Sequence, residues 1–61
     1  MNLVEVALVG GERLRLESAA PISLEFVSDR DQIRVHGDLV KAVQWSLVDG
    51  LRTEGEVTLH E

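Results

Sequence analysis

Few side chains in this sequence are equipped for chemistry, and their spacing limits what they can do. His36 and Asp38 stand two apart, with His60 as a distant third donor, and imidazole with carboxylate is a set that zinc accepts. No cysteine accompanies them, so the chain offers neither a thiolate site nor a disulfide framework. Two histidines on separate segments read as strand-surface side chains, and no metal ligand is assigned. Asp29-Arg30-Asp31 opens as a calcium loop does but lacks the loop glycine and the closing glutamate, which leaves a solvated turn. Gly10-Gly11 departs from the phosphate-cradling glycine spacing and is followed by Glu12, whose charge repels an anion, so it reads as a hairpin turn. Ser18, Ser23, Ser28 and Ser46 fall in turns or alternate with apolar residues, and no serine–histidine–aspartate constellation emerges. Carboxylates are so numerous, eleven in 61 residues, that no pair stands out. The expectation is a protein without catalytic residues, cofactor or metal, and not an enzyme.

The cations are the other candidates. Five arginines and one lysine are set against eleven acids, for a formal charge of −5. That balance disfavours a broad grip on phosphates, which needs clustered Lys and Arg. Arg13, Arg15, Arg34 and Lys41 could line one outward surface and touch nucleic acid in an oligomer. The competing and favoured reading pairs the arginines with Glu5, Glu17 and Glu25 on neighbouring strands. Only Phe26 and Trp45 are aromatic, so no stacking platform accompanies the basic residues.

These side chains sit on short alternating segments. Val4, Val6 and Leu8 alternate before Gly10-Gly11, and Leu14 and Leu16 after it. A three-residue loop, Gly10-Gly11-Glu12, would set Leu8 opposite Leu14 and Val6 opposite Leu16, keeping apolar side chains on one face. Ser18 to Pro21 is a break, because Pro21 has no donor for a ladder. Ile22, Leu24 and Phe26 then alternate, and Ile33 and Val35 resume the pattern after Ser28–Asp31. A four-residue loop pairs Phe26 with Ile33, Leu24 with Val35 and Glu25 with Arg34. Val57 and Leu59 alternate in a last strand.

Residues 39–49 are ambiguous. Asp38 suits a helix N-cap, Gly50 a stop, and Leu39, Val40, Val43 and Leu47 share a helical face. Against that, Val43 to Leu47 alternates with period two, and valine and tryptophan favour strands. A strand from about Ala42 to Val48 is preferred, entered by a turn at Asp38–Lys41, with Asp49-Gly50 as the next turn. The fold class predicted is all-β: five short strands in a small SH3-like or Sm-like barrel or a strongly bent antiparallel meander, with four strands plus one helix at 39–49 as the alternative. Its core would comprise Val4, Val6, Leu8, Leu14, Leu16, Ile22, Leu24, Phe26, Ile33, Val35, Val43, Trp45, Leu47, Val57 and Leu59.

Val6-Ala7-Leu8-Val9-Gly10-Gly11-Glu12-Arg13-Leu14-Arg15-Leu16 resembles the first hairpin of small Sm-like barrels, and its Gly-Glu turn is similar to that of the Rof family, inhibitors of the transcription terminator Rho. Ile33 to Trp45 resembles the strand, short turn, strand segment of such barrels. The resemblance covers about half the chain and implies the barrel alone; the N-terminal helix expected of Rof proteins is absent, and no residue role is carried over.

A single domain of this size buries about 60 % of the surface its unfolded chain exposes, and its core rarely supplies more than about 3–5 kcal/mol without staples or association. With the core assigned as above, Leu3, Val9, Val27, Val40, Val48 and Leu51 are left over, and six apolar residues on so small a surface should cluster into an interface. The functional expectation is a small non-catalytic interaction module, self-associating or docking on another protein as adaptor or inhibitor. A nucleic-acid-binding Sm-like oligomer is the alternative, and a metal-dependent enzyme the third reading. Met1 to Val9 lacks a basic start, and no apolar run reaches the roughly 18 residues of a membrane span. The predicted location is therefore cytoplasmic, without membrane contact. The arginine-rich, lysine-poor composition fits a GC-rich bacterial or phage genome.

Overall fold

The computed structural model describes residues 1–37 and 39–60. Asp38, weighed above as N-cap, turn residue and metal ligand, lies outside the described residues. Among the described residues the fold is all-β, with seven strands: β1 (Asn2–Leu8), β2 (Arg13–Ser18), β3 (Ile22–Val27), β4 (Gln32–His36), β5 (Val40–Gln44), β6 (Val48–Glu54) and β7 (Val57–His60). Single 3-10 turns occupy Ser28–Arg30 and Trp45–Leu47. The strands form two sheets, ordered β2-β1-β6 and β5-β4-β3-β7. All pairings are antiparallel except β3 with β7.

Alternation decides which side of each strand is buried. Val4, Val6, Leu16, Ile22, Leu24, Ile33 and Val35 form the core, with Leu8, Leu14, Val43, Val48 and Val57 packed around it. Fully burying aliphatic side chains of this size contributes about 1.5–3 kcal/mol each before entropy is counted. The β3–β4 hairpin has the predicted register, Phe26 with Ile33, Glu25 with Arg34 and Leu24 with Val35.

In the first hairpin the loop has three residues, but they are Val9, Gly10 and Gly11. Gly11 N–H donates to the Leu8 carbonyl at 3.0 Å, Leu8 N–H donates to the Glu12 carbonyl at 2.8 Å, and Gly11 takes φ +89°. A type I turn followed by a left-handed glycine is a favoured three-residue hairpin connection. Val6 thus faces Leu14 and Val4 faces Leu16, two residues from the expected register and with the same faces inward.

The segment from 40 to 54 departs most from expectation. Neither a helix over 39–49 nor a strand over 42–48 forms. Strand β5 ends at Gln44, the Trp45–Leu47 turn redirects the chain, and β6 returns to pair with β1. Asp31 holds that turn. Its carbonyl accepts Trp45 N–H at 2.7 Å, and its Oδ2 accepts Ser46 N–H at 3.3 Å. Asp49-Gly50 lies inside β6, where the shift between Ala7 and Leu8 makes Asp49 the extra residue of a bulge.

Asn2 ties the far end together. Its Nδ2 donates to the Ala20 carbonyl and its Oδ1 accepts Glu56 N–H, both at 2.8 Å. One side chain thus links the break before β3 to the β6–β7 turn, where Gly55 has φ +80° and leaves no room beside Asn2 for a Cβ. Asn2→Ala is expected to cost about 1–2 kcal/mol, the usual worth of two such bonds. A urea midpoint unchanged from the parent would show that the clamp carries no stability.

Candidate apolar docking site

The two sheets meet along their cores but part at one pair of edges. Strand β6 ends the first sheet and β7 ends the second, and the two are not paired with each other. Between them opens an apolar hollow of about 230 Å³, lined by Phe26, Ile33, Trp45, Leu51 and Leu59. Ile33 is buried as its floor. Trp45 stands edge-on to Phe26, with ring centroids 5.5 Å apart and planes at 73°, a favoured aromatic geometry. Yet Trp45 and Leu51 are each 41 % exposed and Leu59 is 59 % exposed.

Three residues assigned to the core therefore lie at the surface: Trp45, Leu47 and Leu59. The 3-10 turn takes Trp45 and Leu47 out of strand geometry, and Leu59 occupies an edge strand with no further strand beside it among the described residues. The hollow exists because the sheets are not joined at β6 and β7.

The six leftover apolar residues do not form one cluster. Leu51 lines the hollow. Leu3 is only 5 % exposed, and Val48 packs against the core, so neither is open to a partner. Val9 sits exposed in the first hairpin loop. Val27 and Val40 lie on the outer face of the second sheet, Val27 half-buried and Val40 exposed, at separate register positions. Of the six, Leu51 alone lines this hollow. The signal for Trp45 and Leu59 would have been strand order, which alternation does not encode.

The cations are likewise divided. Arg13 and Arg15 are on the outer face of the first sheet and Arg34 on that of the second, so no single surface carries all three. Arg13 approaches Glu5 at 3.7 Å, and Arg15 contacts Glu17 at 2.7 Å. Arg34 lies between Glu25 and Ala42 in the ladder. Lys41 lines a second hollow, of about 330 Å³, that also includes Arg13 and Glu12. His36 and His60 are on different strands of the second sheet, and no group of three metal-ligating side chains is found among the described residues. The His36 Nε2 is buried without a hydrogen-bond partner among those residues.

Comparison with protein-family models, with curated proteins and with solved structures found no match. Among the described residues, no helix is long and apolar enough to cross a membrane.

Trp45→Ala is expected to destabilise far less than Ile33→Ala, at about 1 kcal/mol against about 2–5 kcal/mol, because the indole is already half in water. Acrylamide should quench Trp45 emission in the native state. Emission that resists quenching until the chain unfolds would show the ring to be enclosed.

Proposed function

We propose that this chain is a non-catalytic interaction module that binds another protein surface through the hollow between β6 and β7. The observation that carries the reading is the exposure of Trp45, Leu51 and Leu59 around a single concavity. Burying a large apolar side chain is worth about 1.5–3 kcal/mol, so leaving three of them wet costs a small domain stability that a partner restores. Tryptophan is the residue type most enriched where binding energy concentrates. The lining offers an indole N–H as its one polar side-chain group and no acid, base or nucleophile, which favours docking over turnover.

Nucleic-acid binding has less support. Two of its four candidate residues, Arg13 and Arg15, are held by carboxylates, and the remaining cations are spread over separate surfaces. Short strands in two facing sheets, with β6 returning to β1, support reading the fold as akin to small Sm-like or SH3-like barrels, with self-association or an adaptor role as the mode of action.

A photoreactive phenylalanine analogue installed in place of Trp45, with one at exposed Ser28 as control, tests the reading in the native host. A discrete adduct of protein mass at position 45 and none at position 28 is expected. Equal labelling at both positions, or no adduct at 45, would contradict it.

A further inference from the structure

We infer that the partner is a second copy of this chain, joined through β7 as an antiparallel pair of edge strands about a two-fold axis at Thr58. The inference rests on the interaction-module reading and specifies its occupant.

The open edge of β7 is where the backbone is short of partners. Ile22 N–H donates to the Glu56 carbonyl at 3.0 Å, which fixes Glu56 as facing β3. Backbone groups alternate in direction along a strand. The N–H and carbonyl groups of Val57 and Leu59 therefore point away from β3, toward an edge that carries no further strand among the described residues. An exposed edge of this kind is a template for pairing with another chain.

The side chains of Glu56-Val57-Thr58-Leu59-His60 make the segment complementary to itself. Centred on Thr58, an antiparallel pair sets Val57 against Leu59 of the other copy, twice, on the face that looks into the core. On the outer face it sets Glu56 against His60, twice, and Thr58 against Thr58. That Val57 and Leu59 share the inner face follows from their register with Ile22 and Leu24. The pairing joins apolar to apolar and acid to imidazole, with a threonine pair on the axis, all favourable cross-strand combinations. Shifting the register by two residues in one direction places Val57 on Val57 and Glu56 on Thr58. The opposite shift places Leu59 on Leu59 and Thr58 on His60. Neither shifted register keeps the Glu56–His60 contacts.

Val57 and Leu59 then exchange their free backbone hydrogen bonds, and the second sheet continues across the axis into its copy. Both copies of the first sheet lie on the same side of the joined sheet. Each 59 % exposed Leu59 gains an apolar neighbour at the mouth of the hollow. A two-fold contact of this kind is closed and does not propagate into a fibre.

Because Val57 and Leu59 are the hydrogen-bonded positions, Thr58 sits in a non-hydrogen-bonded pair, with Cα atoms about 4.5 Å apart and within disulfide reach. The chain has no cysteine, so Thr58→Cys introduces the only thiol. Mild oxidation should give a disulfide-linked dimer in high yield from Thr58→Cys and little from Ser28→Cys. Sedimentation of the parent chain should give twice the 6.8 kDa monomer mass. Glu56→Lys and His60→Glu should each weaken the dimer about tenfold, and an equimolar mixture of the two should recover it as a heterodimer with both contacts restored. Circular dichroism of each variant checks that the monomer remains folded, and the Thr58→Cys result stands independently of those variants. A parent chain that stays monomeric at 100-fold varied concentrations would overturn the inference, as would a mixture no tighter than its components. If the chain is monomeric yet position 45 captures a different protein, self-pairing fails while the interaction reading stands. If no adduct forms either, both fail.

Discussion

Contact between the inner faces of two small sheets is the constraint on which the rest of this molecule depends. Val4, Val6 and Leu16 on one side meet Ile22, Leu24, Ile33 and Val35 on the other, and these seven side chains are the buried centre. With no disulfide to assist, the sheets must keep those rows facing each other. Asn2 and Asp31 serve that end from opposite parts of the chain, one clamping the β6–β7 turn and the other holding the Trp45–Leu47 turn. The same arrangement sends β6 to one sheet and β7 to the other across the two residues Gly55-Glu56. The opening beside Trp45 is thus a consequence of how the core is built.

Legibility in the sequence followed from whether side chains or distant backbone groups determine each element. The β3–β4 hairpin could be read to its register because apolar alternation runs unbroken on both arms and Glu25 falls opposite Arg34. In the β1–β2 hairpin the pattern specified the inward faces but could not choose between two registers that place the same faces inward. Glycine tolerance for the left-handed position resolved it, since Gly11 fills that role when the loop is Val9–Gly11. Strand β6 was invisible because Gly50, Arg52, Thr53 and Glu54 are all exposed. Its order comes from hydrogen bonds to β1, and those leave no hydrophobic signature.

The hollow was legible only in part: of the residues that line it, Leu51 was among the surplus apolar residues of the sequence. Trp45 and Leu59 were assigned to the core, because a period-two pattern does not reveal that Asp31, far from them in the chain, bends the first away from strand geometry. Nor does it reveal that the second lies on a sheet edge. The arginines show both cases. Arg13 pairs with Glu5 across the β1–β2 ladder as expected, whereas Arg15 turns to Glu17 on its own strand, two residues on.

Among the described residues, the fold leaves an apolar seam beside a strand edge, β7, with no further strand on it. Amide hydrogen exchange of Val57 and Leu59, followed by NMR at high and at low protein concentration, tests most directly whether a second molecule completes that edge. The account expects both amides to be protected in concentrated solution and to exchange rapidly on dilution, while the buried strand β1 stays protected throughout. Rapid exchange of Val57 and Leu59 at every concentration would contradict it.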